Sequence, residues 1–380
     1  MAITALARFR FSRISIPALR HRVHSCHRRR VPAKLPSTIA PSLLAWYDRH
    51  ARDLPWRSPP GNAPGDAYRV WLSEVMLQQT QVATVKPYFD AFTRRWPDFA
   101  ALAGAQDADV MAAWAGLGYY ARARNMLACA RAVVWEHGGK LPDSEAGLRA
   151  LPGIGDYTAA AIAAIAFERR AVVVDANVER VVARLAALQT PLPRGKAEVR
   201  ALADQVTPDA RAGDFAQAMM DLGATICIAR RPQCMLCPLS ADCRACATGE
   251  PEAYPRREAK KARPHRHGTI FWLERAGKVL LVRRPDKGML GGMRALPTGP
   301  WQAVPPGLDG APVEGDWAMT GKSVQHGFTH FTLDAALAAC SVTGHIGDNS
   351  GEWWDIDDIE SAGLPTLFAK AARIMRSYEC

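Results

Sequence analysis

Three scarcities narrow the reading of this chain. No apolar run is long enough to cross a bilayer, which excludes a membrane-spanning helix. The cysteines number nine, an odd count spread through 380 residues, so a complete disulfide framework is not expected; a reducing, soluble compartment is. Acidic residues are missing from residues 1–47, which hold nine lysines and arginines and account for most of the net charge of +11. The rest of the chain is close to neutral, and overall basicity therefore cannot carry a nucleic-acid reading by itself.

What is present divides the chain. Residues 1–37 read as a basic, disordered extension. Its Arg, Ser and His content without acid fits an organellar transit peptide, a disordered basic arm or an over-extended start of translation equally well. Residues 38–250 read as an all-α domain, with amphipathic helices over 41–51, 70–92, 119–137, 157–167, 177–188 and 214–228 punctuated by Gly/Pro turns. Residues 251–267, rich in Lys, Arg and Pro, read as a connector. Residues 268–380 change to alternating strands at 269–273, 279–283 and 331–342 and a last helix at 364–378, a smaller α/β domain. The expected fold class is multidomain, α followed by α/β.

The all-α domain carries three motifs. Cys227, Cys234, Cys237 and Cys243 follow one another at intervals of six, two and five residues, close enough to converge on one metal centre. Four thiolates suit an iron-sulfur cluster or a tetrahedral zinc, and the spacing alone leaves both open. Cys246 lies outside the set, and Cys26, Cys129, Cys340 and Cys380 have no ligand-like neighbours in sequence. Leu151-Pro152-Gly153-Ile154-Gly155 is a tight hairpin between two helices. Gly153 and Gly155 let the backbone turn and offer amides to a phosphate, although an ordinary helix-helix turn uses the same residues. Asp175 follows the apolar run 171–174 and precedes a helix, the position of an N-cap.

Hairpin, downstream Asp and cysteine loop, in that order, resemble the helix-hairpin-helix DNA glycosylase superfamily, whose endonuclease III branch carries a 4Fe-4S cluster at this cysteine spacing. The strings Trp71-Leu72-Ser73-Glu74-Val75-Met76-Leu77-Gln78-Gln79-Thr80-Gln81-Val82 and Gly116-Leu117-Gly118-Tyr119-Tyr120-Ala121-Arg122-Ala123-Arg124-Asn125 are similar to adenine glycosylases of the MutY type. The resemblance covers about residues 42–378. It implies a hydrolase of base-excision repair that removes adenine mispaired with 8-oxoguanine or guanine, and a cluster in place of zinc.

Adenine leaves poorly as an anion, so cleavage of its glycosidic bond calls for protonation of the ring while positive charge builds on the sugar. Glu74 lies among Leu72, Val75, Met76 and Leu77, an apolar setting that keeps a carboxyl protonated and fit to act as general acid. Asp175 is the expected stabiliser of the oxocarbenium ion, and the amide of Asn177 would orient the carboxylates. In bifunctional relatives the position of Tyr157 holds a lysine nucleophile. A phenol cannot form an imine, so a monofunctional enzyme is expected.

The same resemblance assigns the base-reading residues. An extruded base leaves a gap in the duplex. Tyr119 would wedge beside 8-oxoguanine, Gln78, Gln79 and Thr80 would occupy the vacated stack, Trp56 and Arg57 would line the adenine pocket, and Gln217 would read the adenine edge. The C-terminal part resembles a Nudix-like domain used for 8-oxoguanine recognition, through Gly288-Met289-Leu290-Gly291-Gly292-Met293 and Gln325-His326-Gly327-Phe328-Thr329-His330. Phe328, Thr329 and His330 are its candidate contacts, with Thr329 where the family usually has serine. No glutamate-rich helix follows Gly292, so pyrophosphate hydrolysis is not expected. His326 and His330 lack accompanying ligands, and the connector lacks cysteine, so no linker zinc site is expected.

Two other classes compete: a bifunctional glycosylase-lyase, disfavoured by Tyr157, and a noncatalytic iron-sulfur carrier or zinc module, disfavoured by Glu74 together with Asp175. The expected partner is double-stranded DNA, bound by a monomer without a membrane. Localisation would be the nucleoid of a bacterium or the mitochondrion or nucleus of a eukaryote.

Overall fold

The computed structural model describes residues 34–259, 262–285, 288–328, 330–343 and 351–378. Its helical part contains two hydrophobic cores. One gathers helices Ala67–Leu77, Val82–Arg95, Phe99–Ala103, Asp107–Ala113, Ala121–His137, Glu145–Ala150 and Asp156–Phe167 around Trp71, Phe92 and Trp114. The other joins Ile39–His50 to Ala176–Leu185, Lys196–Val206 and Ala212–Thr225 through Leu43, Tyr47, Val182 and Met219. The first helix thus packs with the last part of the domain.

Helix Ala212–Thr225 links the two cores because two glycines let it approach both. A Cβ on Gly213 would sit 2.5 Å from the carbonyl oxygen of Ala164, in helix Asp156–Phe167 of the first core. A Cβ on Gly223 would sit 2.6 Å from Cβ of Asn177, in helix Ala176–Leu185 of the second. Helix Asp156–Phe167 in turn is buried from Thr158 to Ala166, and its alanines keep it thin enough to lie between neighbours. The cleft described below opens where these cores meet.

Several sequence expectations are corrected. Residues 70–92 form two helices instead of one, separated at Gln78–Gln81. Gln79 adopts a left-handed backbone with φ of 57°, and Arg122 Nη1 donates to the carbonyls of Val75 and Met76 at 3.2 and 2.9 Å, replacing the next helical turn. Tyr119 likewise stands outside its expected helix, with φ of 50°, because that helix starts at Ala121. The ordered chain reaches further forward than Ser37: Leu35 is buried, and its amide donates to Gln205 Oε1 at 3.1 Å. The connector is also shorter than 251–267. A strand begins at His265, and Leu192 pairs with the backbone at Arg256 and Glu258, tying that segment to the helical domain. The basic extension, over residues 1–33, lies outside the described residues.

The C-terminal part is a mixed sheet of β1 (His265–Arg275), β2 (Lys278–Arg283), β3 (Arg294–Ala295), β4 (Ala318–Gly327), β5 (Thr332–Ser341) and β6 (Glu352–Asp355), ordered β3-β2-β1-β5-β4 with β6 on β2. β1 and β5 run parallel from His265 opposite Thr332 to Glu274 opposite Ser341. Helix Thr366–Arg376 covers one face, where Leu367, Phe368 and Ala371 pack on Ile270, Trp272, Leu333 and Leu337. Phe271 packs edge-on against Trp317 on the other. β3, β4 and β6 escaped the sequence reading, as did the shorter helices, because short polar elements carry little periodicity. No helix among the described residues is long and apolar enough to cross a membrane.

Candidate active site

A cleft of about 1380 Å³ lies between the two helical cores, lined by Trp56, Arg57, Glu74, Tyr157, Asp175 and Asn177 among others. Asp66 caps helix Ala67–Leu77 by accepting from the Arg69 amide at 2.9 Å, and the helix carries Glu74 into the first core with only 6% of its surface exposed. Burial raises the Glu74 carboxyl from its ordinary 4.5 to about 7. The nearby Tyr157 hydroxyl opposes that rise, the Asp175 charge adds to it, and the Arg57 guanidinium opposes it. The Tyr157 phenol, itself pushed well above its ordinary value by burial and by these two acids, also points at Met220 Sδ, 3.5 Å away.

Asp175 comes from the second core, where it caps helix Ala176–Leu185. Its Oδ1 accepts from the Val178 amide at 2.7 Å, and its Oδ2 accepts from Asn177 Nδ2 at 2.9 Å. Asn177 Oδ1 accepts in turn from Arg180 Nη2 at 2.8 Å, and Arg180 also donates to the carbonyls of Gly223 at 2.7 Å and Cys227 at 2.7 Å. One line of hydrogen bonds therefore runs from the Asp175 carboxylate to the first residue of the cysteine loop. The capping role and the cleft-facing role coexist in one carboxylate.

Arg57 lines the cleft with its guanidinium committed to a buried acid. Its Nη1 and Nη2 form a fork on Asp221 at 2.7 and 3.0 Å, and Arg52 Nε donates to the same carboxylate at 2.6 Å. Asp221 has no exposed surface, so the pair of cations holds a fully buried anion. Arg57 then acts on the cleft through its charge and its flank. Asp221, Arg52, Arg180 and Arg122 were missed in sequence because each meets a partner dozens of residues away.

Trp56 lines the cleft edge-on to Phe89, with ring centroids 5.1 Å apart, and buried Gln217 donates to Gly213 O at 3.3 Å. Gln78, Gln79 and Thr80 line it from the break between helices; Gln78 Nε2 donates to Thr158 Oγ1 at 3.3 Å and Thr80 Oγ1 accepts from Arg122 at 3.1 Å. Tyr119, 61% exposed, and the hairpin glycines do not line the cleft. Gly153 has φ of 75°, and a Cβ there would meet Cβ of Asn125 at 2.7 Å; Gly155 begins helix Asp156–Phe167 with open space around it.

Buried Arg184 meets two of the four loop cysteines: its Nη1 donates to Cys227 Sγ at 3.2 Å and to the Ile228 carbonyl at 2.7 Å, its own carbonyl lies 3.6 Å from Cys243 Sγ, and its Nη2 and Nε hold the carbonyls of Ala229 and Pro251. Burial pushes the Cys237 thiol up to about 12, with further contributions from Cys227, Cys243 and Cys234, so the four sulfurs are close enough to sense one another. Yet no three of them, among the described residues, lie within 4.8 Å of one another. A tetrahedral zinc with bonds of ~2.3 Å needs sulfurs about 3.8 Å apart, whereas a cluster that gives each thiolate its own iron spaces them wider. Four thiolates in one loop are a donor set that such a cluster can take.

In the sheet domain, Phe328 packs against Trp301, His326 and Phe331 with ring centroids 5.3, 4.6 and 4.9 Å apart, and His330 is exposed. Neither lines the cleft. Thr329 lies outside the described residues.

Residues 72–208 match the HhH-GPD superfamily of base excision DNA repair proteins, and residues 269–373 match the NUDIX domain. The chain is 33% identical to the human adenine DNA glycosylase over 89% of its own length and 74% of the relative's. The chain belongs to the adenine DNA glycosylase family. A second member, from Mycolicibacterium smegmatis, is 42% identical over 56% of this chain and 72% of its own length. Among solved structures, a thermostable thymine-DNA glycosylase superposes with a TM-score of 0.50 at 28% identity, covering 56% of this chain and 96% of that one. Membership makes the chain a DNA N-glycosylase of base-excision repair, a hydrolase built from a helix-hairpin-helix domain and a Nudix-like domain.

Proposed function

We propose that the chain removes adenine opposite 8-oxoguanine or guanine in double-stranded DNA by monofunctional, acid-assisted hydrolysis, acting as a monomer. The observation that carries this is a carboxyl with a pKa near 7, Glu74, facing a separately held carboxylate, Asp175, across one cleft. The Glu74 proton passes to N7 of the extruded adenine. The C1′–N9 bond then breaks with its electron pair going to the base, Asp175 offsets the positive charge on the sugar, and water adds at C1′ and releases a proton to the Glu74 carboxylate left by the first step. Asn177 holds Asp175 in place, and Tyr157 occupies the site where an amine would form an imine.

Gln78, Gln79 and Thr80 at the cleft mouth, exposed Tyr119 and the Phe328 cluster support reading of the opposite base. Cys227, Cys234, Cys237 and Cys243 would hold a 4Fe-4S cluster, which when bound would cross-link the loop beside the second core. The hairpin 151–155 would take a phosphate on its amides. Such an enzyme would work wherever its DNA lies, the nucleoid in a bacterium or the mitochondrion or nucleus in a eukaryote. Single-turnover excision of adenine opposite 8-oxoguanine, guanine and cytosine tests the reading, with Asp175→Asn beside the parent. Excision opposite the first two, lost in Asp175→Asn, supports it; an inactive, cluster-replete parent or an unimpaired Asp175→Asn overturns it.

A further inference from the structure

We propose that His265, His267 and Asp334 form a binding site for one divalent transition-metal ion of the zinc class on the sheet domain. His265 and His267 stand two apart on β1 and therefore face the same side of the sheet. The parallel register sets Thr332 opposite His265 and Asp334 opposite His267, so the carboxylate joins the two rings on that face. One ligand atom from each of the three lies within 4.8 Å of the other two, the only such group among the described residues.

Two details single this out from an ordinary polar patch. Asp334 Oδ1 is buried without a hydrogen-bond partner, a costly state that a bound cation relieves. His265 Nδ1 is engaged by Thr332 Oγ1 at 2.9 Å, which fixes the ring and leaves Nε2 for a metal, the arrangement that orients ligating histidines elsewhere. Two imidazoles and one carboxylate suit zinc or a neighbouring transition metal over magnesium or calcium, which prefer all-oxygen shells. Metal bonds of ~2.1 Å place tetrahedral ligands about 3.4 Å apart, so atoms that already lie within 4.8 Å of one another need close by no more than about 1.4 Å.

The place of the site suggests its consequence. β1 begins at His265, directly after the segment that leaves the helical domain, and Arg266 and Gly268 on the opposite face touch Phe331 and Trp301 of the aromatic cluster. A metal would clamp the start of β1 to β5 behind that cluster. Its donors are nitrogen and oxygen, which separates it from the cysteine loop.

The test uses the full-length, cluster-replete chain equilibrated with zinc chloride and then gel-filtered. Zinc and iron are measured by plasma emission, and zinc coordination by K-edge absorption. We expect one zinc per chain with nitrogen and oxygen donors and no sulfur, at least a tenfold weaker zinc affinity in His267→Ala and in Asp334→Asn, and iron content equal in all three. Asp334→Asn keeps the side-chain volume, and its thermal midpoint should no longer rise with zinc as the parent's does. A parent that retains no zinc, zinc bound through sulfur alone, or variants that retain as much as the parent would overturn the proposal.

Discussion

Replacing Glu74 by Gln separates the proton from the shape of the side chain, and its effects can be worked from the burial of that residue. A carboxyl raised from 4.5 to about 7 binds a proton in the folded state that the unfolded chain has already released between those values. The folded state holds more protons there, so stability falls as pH rises: the contribution is fully present below pH 4.5 and lost as pH passes 7. At 1.36 kcal/mol per unit, the loss is about 3 kcal/mol. Glutamine does not titrate. Glu74→Gln should therefore gain on the parent by up to about 3 kcal/mol between pH 5 and 8, with no difference below pH 4.5. Excision should fall by roughly 10²–10⁴, because the proton donor is gone while the cleft is intact. Paired thermal or urea melts across that range, beside single-turnover rates, measure both. A variant whose stability parallels the parent's at every pH refutes the burial argument, and one that excises at the parent's rate refutes the acid.

The remaining predictions address the supports of the site. Tyr157→Lys should give a borohydride-trapped protein-DNA band on denaturing gels that the parent lacks, since an amine replaces the phenol beside Glu74. Gly223→Ala should cost about 1–3 kcal/mol in melts and slow excision without weakening DNA binding, as its methyl group meets Cβ of Asn177 and moves the residue that holds Asp175. Gly153→Ala should cost about 1–3 kcal/mol through its positive φ and its clash with Asn125, and should weaken DNA binding in fluorescence anisotropy. Gly155→Ala, with open space around it, should leave stability within error.

Much of the helical domain was legible because its apolar residues recur at helical spacing, and Asp175 announced itself as a cap by its place between an apolar run and Asn177-Val178-Glu179. The break at Gln78–Gln81 was not legible. No Gly or Pro marks it, and its cause is Arg122, a guanidinium more than 40 residues away that takes the carbonyls of Val75 and Met76. The Arg57–Asp221 fork hid for the same reason, since pairing of distant charges leaves no local pattern. His265 and His267 fell in the stretch read as connector, and only the register of β1 with β5 brings Asp334 beside them. Local order is written in spacing, whereas a site depends on which distant residues the packing brings together.

The division of the two carboxyl groups between two cores explains how one cleft holds acids in opposite environments. Glu74 owes its raised pKa first to burial, so the first core must stay dry around it. Asp175 needs donors, and a helix N-terminus with Asn177 beside it supplies them. Neither environment suits the other residue. Helix Ala212–Thr225 sets the spacing by touching one core at Gly213 and the other at Gly223, and carries Asp221 between them. That aspartate holds Arg57 within reach of Glu74, where its charge opposes the rise that burial causes. The acid is left near neutrality, able to keep its proton in the resting cleft and to give it up to a base. The same helix therefore helps set where the two carboxyl groups stand and, through Arg57, adds the smallest of the influences on a proton affinity that burial dominates.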